Sequence, residues 1–383
     1  MSSTDRSPFP ARASALGPML RDEGAAAEAA GSLTDSVVDA MKAEGLFRMW
    51  VPACHGGHEV PVVEAIDTMI ELGRHDGAAA WCTMIANTTA LLAARLPAEV
   101  AQELFGHDDA IAAGFAQPRG RATVVDGGLR VTGRWQWGSF TRHATVVGGG
   151  ALADGPGAGT PRVLFVFFDP ADVEWLDNWD VLGLRGTGSS DYTVTEAFVP
   201  NGNWVDFGGP AAPRVDAPLY RFSFYGLLAI GVASTAVGMA DRVVDEFAAL
   251  AADHLPLGSK RTLAERAATQ AEIARAEATV RSSIAFIHEV AGTTWDLVAE
   301  GDPMTEEDRR LLRLAAADAT QRCGDAVGRL YRVAGGEAVY RRSPIEKLFR
   351  DVNVATQHAM VSERLYETVG RMRLGLETDT GTL

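Results

Sequence analysis

The chain has 383 residues, of which 47% are apolar and 22% are charged. This composition is typical of a globular protein with one large domain or two to three subdomains, and it argues against disorder. The formal net charge of −15 argues against nucleic acid or an anionic membrane as the main partner.

Three widely spaced cysteines, Cys54, Cys82 and Cys323, do not form a disulfide framework and are typical of a reducing cytoplasm. The N-terminal residues lack an apolar segment of signal-peptide length. The most apolar segment, from Tyr225 to Ala240, is shorter than the roughly 20 residues that a membrane-spanning helix needs. We therefore expect a soluble cytoplasmic protein in which this segment is a buried helix.

The character of the sequence changes twice along the chain. Residues 1–109 are rich in alanine and show helical periodicity, whereas residues 110–215 contain short β-type segments separated by glycine and proline. Within the second region, Asp126-Gly127-Gly128 predicts a hairpin turn. Helical periodicity returns in residues 216–383. The sequence predicts a multi-domain α+β fold with an N-terminal helical domain, a central β-barrel or sandwich domain and a C-terminal four-helix bundle.

Short connections between long amphipathic segments predict that the bundle is antiparallel. Thr305 with Asp308, and Ser343 with Glu346, resemble helix-starting capping boxes, and Pro344 suits a first helical position. The four predicted helices cover residues 222–254, 263–300, 306–334 and 344–373.

The last predicted helix follows a Gly335-Gly336 turn and contains a single histidine, His358. Asp351 and His358 are seven residues apart, so a continuous helix would place both on one face, beside an apolar stripe. We expect His358 to be half-buried at the mouth of a glycine-lined pocket. Its unperturbed pKa near 6.5 would suit proton transfer in either direction.

The segment GRWQWGSFTRH, residues 133–143, is the second candidate site. Trp135 and Trp137 alternate, which predicts that both indoles lie on one face of a strand, with Ser139 within reach of that face. The two rings and the serine would then offer a flat aromatic ligand a stacking wall and a hydrogen-bond donor. Alternatively, both indoles simply pack the sheet against the helices.

Three other patterns carry less weight. The segment VVGGGALA precedes an Asp154-Gly155-Pro156 turn, whereas a dinucleotide fingerprint requires a helix there. Cys54, His55 and His58 have no second ligand cluster, so a glycine turn is favoured over a metal site. No serine lies in a G-x-S-x-G motif, which argues against a hydrolase.

Lys260 and Arg261 precede the second predicted bundle helix. A phosphate would be favoured there by both charge and helix dipole. Solvated surface charges are the alternative interpretation.

Five segments, taken in order, resemble the acyl-CoA dehydrogenase fold family over nearly the whole chain. They most resemble its monooxygenase branch, the oxygenase components of two-component flavin-dependent hydroxylases such as 4-hydroxyphenylacetate hydroxylase and dibenzothiophene monooxygenase. The segments are GLFRMWVPACHGGHEV, GAAAWCTMIANTTALLAARLPAEVAQELFG, VTGRWQWGSFTRHA, GLRGTGSSDYTVTEAFVP and AGGEAVYRRSPIEKLFRDVNVATQH.

This resemblance implies a homotetramer that binds reduced flavin, FMN or FAD, between the β domain and the bundle and receives it from a separate NAD(P)H:flavin reductase. With O2, the flavin would form a C4a-hydroperoxide that hydroxylates an aromatic, heteroaromatic or amine small molecule. The cofactor-binding residues implied by the resemblance are Trp137 and Ser139 beside the isoalloxazine, Arg261 and Gln270 near the phosphates, and Gly335 and Gly336 at the cofactor tail.

The resemblance also implies the catalytic residues. Ser139 would lie near the flavin N5 and His358 near the reactive end of the ring. Asn87 occupies the place where the branch often carries a substrate-facing histidine, and Phe140 stands where a glycine usually follows the serine.

An acyl-CoA dehydrogenase needs a carboxylate base to remove the substrate α-proton. In this family the base follows the Arg-Asp of the last helix or lies in the first bundle helix. Neither Gln357–Met360 nor Tyr225–Ala240 contains a carboxylate. The sequence therefore favours an oxygenase. A dehydrogenase or oxidase with a displaced base and a non-catalytic flavin-binding partner subunit are the alternatives.

Overall fold

The computed structural model describes residues 7–154, 161–207, 213–381 and 383. The N-terminal region is helical, and its fourth helix is buried along almost its whole length. These helices are α1 (Phe9–Ala30), α2 (Asp35–Ala43), α3 (Val62–His75), α4 (Gly77–Ala90) and α5 (Ala98–Phe105).

The strands of the described residues form one seven-stranded mixed sheet, with the order β5-β6-β2-β1-β3-β4-β7. They are β1 (Ala112–Val125), β2 (Gly128–Trp135), β3 (Val146–Ala153), β4 (Arg162–Phe168), β5 (Glu174–Trp175), β6 (Tyr192–Pro200) and β7 (Trp204–Asp206). β1 is parallel to β3, and the other pairs are antiparallel. The hairpin predicted at Asp126-Gly127-Gly128 is confirmed by the β1–β2 pair, with Gly127 at φ +77°.

The glycine-rich segment VVGGGALA is strand β3, and it pairs antiparallel with the next strand along the chain. That pairing differs from the parallel strand–helix–strand unit of a dinucleotide site. Of the predicted Asp154-Gly155-Pro156 turn, all but Asp154 lies outside the described residues.

The C-terminal region is a helical bundle packed on the N-terminal helices. Its helices are α6 (Phe224–Asp253), α7 (Ala267–Ala299), α8 (Glu306–Ala334), α9 (Pro344–Ala355) and α10 (Arg364–Arg373). α3 and α6 cross where Gly73 faces Gly238. A Cβ atom on Gly238 would lie 2.1 Å from the Ile70 carbonyl oxygen, so this crossing requires glycine.

The continuous helix predicted over 344–373 is wrong, because the chain leaves the helix after Ala355. In a continuous helix the Met360 amide would donate to the Thr356 carbonyl. Instead it donates to His358 Nδ1 at 3.3 Å, and Gln321 Nε2 donates to the Thr356 carbonyl at 3.1 Å. Side chains therefore take over the backbone groups that would have continued the helix.

The predicted helix starts have mixed outcomes. The Thr305–Asp308 capping box is confirmed, as is Pro344 in the first turn after an N-cap at Ser343. The second capping box is wrong, because the Ser343 side chain makes no cap bond and Glu346 pairs with Arg350 at 2.7 Å. The second bundle helix begins at Ala267, later than predicted.

Two helices are long and apolar enough to cross a membrane, Gly77–Arg95 and Phe224–Asp253. The protein itself buries 94% and 78% of their most apolar windows, respectively. The expectation that the Tyr225–Ala240 segment is too short to span is therefore wrong, since its helix has 30 residues. The expectation of a buried core helix is confirmed.

The elements change from helix to strand between Phe105 and Ala112, and back to helix after Asp206. The three-domain division at 1–109, 110–215 and 216–383 stays a prediction.

Candidate active site

Two strained turns meet beside the sheet and hold each other in place. Trp137 and Phe140 in the first turn have φ values of +58° and +64°, and Leu184 in the second has +52°. The Gly138 amide donates to the Ser190 carbonyl at 2.9 Å, and the Phe140 amide donates to the Thr187 carbonyl at 2.9 Å. Positive φ values in bulky residues persist only where the surroundings enforce them, and they concentrate at functional sites.

The predicted alignment of Trp135 and Trp137 on one strand face is wrong. β2 ends at Trp135, which is fully buried, stacks on Tyr192 and donates to the Gly150 carbonyl at 2.8 Å. Trp137 is 55% exposed and packs edge-on against Phe115. The positive φ of Trp137 ends the strand alternation and sends the second indole outward. Trp135 thus belongs to the core, and only Trp137 remains available to a ligand.

Ser139 is buried between the two turns and helix α4. Its Oγ accepts a hydrogen bond from Trp81 Nε1 at 3.2 Å and lies 2.6 Å from Ser189 Oγ. Ser189 Oγ in turn lies 2.6 Å from Thr187 Oγ1. Ser139 is therefore the first hydroxyl of a buried polar chain.

His358 contacts the same indole. The Trp81 and His358 rings contact edge to face, with their centroids 5.4 Å apart. Burial, reinforced by the positive charge of Arg313, lowers the pKa of His358 to about 4. The pKa of His358 therefore lies below the unperturbed value near 6.5, and the imidazole is neutral at pH 7. Because Nδ1 accepts from the Met360 amide, the ring proton is assigned to Nε2.

A buried group of charges supports the second turn and helix α4 from the bundle side. Lys347 Nζ lies 3.0 Å from Asp76 Oδ2 and 2.7 Å from Asp351 Oδ2. Asp351 Oδ1 accepts from the Leu184 amide at 2.6 Å, and Asp76 caps helix α4. Burial alone would lower the pKa of Lys347, but the carboxylates of Asp351 and Asp76 raise it above its usual value.

This charge group corrects one prediction. Asp351 does not share a helix face with His358, because it lies on α9 whereas His358 follows the end of that helix. Instead, Asp351 is a brace for the Leu184 turn.

Asn87 is fully buried, and its side chain holds the backbone of a neighbouring turn. Its Oδ1 accepts from the Trp50 amide at 3.0 Å, and its Nδ2 donates to the carbonyls of Leu46 and Thr83. None of these bonds reaches Trp81, Ser139 or His358. A substrate-facing role for Asn87 stays a prediction.

The predicted cofactor-tail residues are exposed. Gln270 Nε2 donates to the Ala264 carbonyl at 2.9 Å, and Arg261 lies in the connection between α6 and α7. Gly335 has a φ of +67°, and a Cβ atom on Gly335 or Gly336 would meet nothing within 4 Å. No contact described above joins these four residues to Ser139 or His358, so their roles stay predictions.

Sequence reasoning missed Trp81, Thr187 and Ser189. A lone tryptophan in the alanine-rich segment GAAAWC suggests core packing, and no periodicity distinguishes it from a site residue. The only signal for the other two was the density of hydroxyl groups in GTGSS.

A cavity of about 440 Å³ lies elsewhere, lined by Arg95, Arg221, Phe222 and Met304 among others. Trp81, Trp137, Ser139 and His358 do not line this cavity. The strained turns, the buried hydroxyls and the neutral histidine mark the candidate site more clearly than cavity volume does.

Comparison with known proteins identifies the family of the chain. The family described as "Acyl-CoA dehydrogenase, C-terminal domain" matches residues 230–363. The chain is 30% identical to the indole-3-acetate monooxygenase of Pseudomonas putida, covering 92% of this chain and 90% of that protein. It is 27% identical to the flavin-dependent monooxygenase oxygenase subunit HsaA of Rhodococcus jostii, over 96% of this chain and 99% of that protein.

Solved structures share the fold. The 3-HSA hydroxylase from a Rhodococcus species superposes with a TM-score of 0.92 at 23% identity, over 99% of this chain and 100% of that one. XiaF from a Streptomyces species, in complex with FADH2 and glycerol, gives a TM-score of 0.91 at 23% identity, with 96% and 95% covered. From the similarity of the whole chain to the sequence relatives, and from this shared architecture, the chain belongs to the flavin-dependent monooxygenases that have the acyl-CoA dehydrogenase fold.

Proposed function

We propose that the chain is an oxygenase component that takes reduced FMN or FAD from a separate NAD(P)H:flavin reductase. It transfers one oxygen atom from O2 to an aromatic, heteroaromatic or amine small molecule. The names of two relatives support the proposal, since one is an indole-3-acetate monooxygenase and another is an oxygenase subunit. A subunit so named implies a partner that supplies the electrons.

The residues of the candidate site fit a flavin. Trp137 offers an exposed indole on a strained turn, which suits stacking against a flat ring. Ser139 presents a hydroxyl whose position is fixed by Trp81 and Ser189. Both groups are uncharged. The flavin would supply the reaction with O2, and the protein supplies binding, orientation and exclusion of water.

His358 and Ser139 are the residues that we propose to contact the reacting groups. The neutral imidazole can donate from Nε2 to an oxygen atom of the substrate or its hydroxylated product. Ser139 Oγ would hold the flavin through a hydrogen bond at N5. Asn87 acts indirectly, because its side chain fixes the backbone at Leu46 and Trp50.

The observation that carries the proposal is that Ser139 and a neutral His358 both contact the Trp81 indole. A dehydrogenase would need an ionised carboxylate to remove a carbon-bound proton. The residue beside Trp81 is instead an imidazole that stays uncharged at neutral pH. Such a group can share a proton with oxygen, but it is not the carboxylate base that the dehydrogenase reaction uses.

The test supplies chemically reduced flavin, isotopically labelled O2 and candidate indoles and phenols to the purified protein. We expect one labelled oxygen atom in the product and little free hydrogen peroxide. Ser139→Ala and His358→Ala should lower the fraction of flavin oxidation that yields product. Matched controls are Ser283→Ala, a buried serine in the bundle, and His254→Ala, a half-buried histidine.

The proposal would be contradicted if all of the consumed O2 were recovered as hydrogen peroxide with every substrate tested. Reduction of bound flavin by acyl-CoA substrates without air would support the dehydrogenase alternative instead. A protein that binds flavin but turns over no substrate with either electron source would support a non-catalytic partner subunit.

We also propose that the protein is a homotetramer in which a neighbouring subunit covers the exposed cofactor-tail residues. Leu257 is fully exposed near Arg261, and Val339 and Tyr340 are about half exposed beside the Gly335-Gly336 turn. Exposed apolar groups of this kind are typical of protein interfaces. Light scattering should give about four times the 40.7 kDa chain mass. A monomer would contradict this assembly.

Three cysteines without disulfide partners support a cytoplasmic location.

A further inference from the structure

Three hydroxyl groups, the first of them bound by Trp81, are linked by short oxygen–oxygen contacts. Ser139 Oγ and Ser189 Oγ are 2.6 Å apart, and Ser189 Oγ and Thr187 Oγ1 are also 2.6 Å apart. Thr187 Oγ1 then lies 2.8 Å from the Leu184 carbonyl oxygen. Ser139, Thr187 and Ser189 are all at most 5% exposed, so water does not compete for these bonds.

Hydrogen counting fixes the direction of this chain. Two oxygens at such distances need a hydrogen between them, and each hydroxyl has only one. The Leu184 carbonyl has none, so Thr187 donates to it. Ser189 must then donate to Thr187, and Ser139 must donate to Ser189. All three hydroxyl hydrogens are therefore used.

Trp81 completes the assignment from the other end. An indole N–H can only donate, so Trp81 Nε1 fills one lone pair of Ser139 Oγ. The hydroxyl hydrogen of Ser139 points to Ser189. One lone pair remains, and Ser139 can offer a ligand an acceptor but not a donor.

Flavin N5 differs between oxidation states in this respect. Reduced flavin carries a hydrogen at N5 and can donate it, whereas oxidised flavin has only a lone pair there. Two acceptors that face each other in a buried site leave both unsatisfied. A fixed acceptor at N5 therefore distinguishes the two forms, and a freely rotating hydroxyl would not.

We propose that Thr187 and Ser189 are positioning residues that hold Ser139 as an acceptor and so make the site selective for reduced flavin. This inference rests on the proposed flavin function and on contact between Ser139 and N5. It assigns the selectivity to two residues that need not touch the cofactor. The selectivity would let an oxygenase take reduced flavin from a reductase and release the flavin once it is oxidised.

The test measures the dissociation constants of oxidised and reduced flavin, the latter without air, by ultrafiltration. The readout is the ratio of the oxidised to the reduced constant, which needs no turnover. We expect a ratio well above one in the unmodified protein. Thr187→Val frees the Ser189 hydrogen to reach Ser139, and the Ser139 hydrogen is then free to point outward. The ratio should fall by about tenfold, the effect of one buried hydrogen bond.

Four further variants separate this mechanism from a structural effect. Thr187→Ser keeps the hydroxyl and should keep the ratio of the unmodified protein. Ser283→Ala removes a buried serine hydroxyl in the bundle and should leave the ratio unchanged. In a Ser139→Ala background, Thr187→Val should have no further effect on the ratio, because the two residues act through one group. Ser189→Ala should reproduce the loss and replaces Thr187→Val if that variant does not fold.

The outcomes are distinguishable. A ratio that Thr187→Val leaves unchanged in a protein that still oxygenates substrate would overturn this inference and keep the proposed function. An unmodified protein that binds both flavin forms equally would also overturn it. A protein that binds neither form would refute the flavin function and the inference together.

Discussion

Replacing Lys347 by methionine tests how the active-site turns are held. The Lys347 side chain is 24% exposed, and its partners Asp76 and Asp351 are only 5% and 2% exposed. Methionine keeps much of the side-chain volume but leaves two buried carboxylates without their cation. Removing one partner from a buried ion pair costs about 3–5 kcal/mol. We expect a loss of that size in the free energy of unfolding.

The assay is urea unfolding followed by circular dichroism, with flavin affinity measured on the same samples. A matched control is Arg281→Met, because Arg281 and its partner Glu277 are 77% and 53% exposed. That pair should contribute less than about 1 kcal/mol. Asp351 also fixes the Leu184 amide, so Lys347→Met should weaken flavin binding as well.

A second substitution sharpens the result. Adding Asp351→Asn to Lys347→Met removes one uncompensated charge while an oxygen acceptor remains for the Leu184 amide. Part of the lost stability should return. Should Lys347→Met unfold at the same urea concentration as Arg281→Met, the two carboxylates do not depend on the lysine and the reasoning is refuted.

Three further predictions concern pH, packing and thiol chemistry. The folded-state pKa of His358 is about 4, below the usual 6.5, so the native state resists protonation. Its contribution to the free energy of unfolding is therefore present above pH 6.5 and is lost as pH falls towards 4. His358→Asn should reduce this loss of stability by about 1–3 kcal/mol, and an unchanged pH dependence of unfolding would contradict the prediction. Gly183→Ala should destabilise the fold, since its Cβ would lie 2.4 Å from the Arg350 backbone, whereas Gly336→Ala meets open space and should be neutral in thermal unfolding. A thiol reagent should modify the exposed Cys54 rapidly and the two buried cysteines only after unfolding; rapid reaction of all three would show an open core.

Much of the fold could be predicted from the sequence because it depends on local patterns. Periodicity located the long helices α6 and α8 nearly to their ends, and Asp126-Gly127 marked the β1–β2 hairpin. The break after Ala355 could not be found this way. It depends on Gln321, which donates to the Thr356 carbonyl from a different helix. Local propensity does not contain such a tertiary contact.

The candidate site was only partly predictable for the same reason. Ser139 and His358 were identified through resemblance, but the indole that both contact comes from an alanine-rich helix more than fifty residues away from either. Trp137 was placed wrongly because strand alternation was extended through a residue with positive φ. Strain of that kind is imposed by contacts with a second turn, and the sequence of the first turn does not show it.

The end of α9 also explains why His358 is uncharged. On a continuous helix, His358 would not use its ring nitrogen as a backbone cap. At the break, Nδ1 accepts from the Met360 amide, which leaves Nε2–H as the only ring group available to a ligand. Arg313, which donates to the Met360 carbonyl at 3.1 Å, disfavours a second proton on the ring. The nearest carboxylate on α9, Asp351, is bound by Lys347 and the Leu184 amide. The same backbone break that removes His358 from the helix therefore fixes its tautomer, and the charges around it keep it neutral, as a donor to oxygen requires.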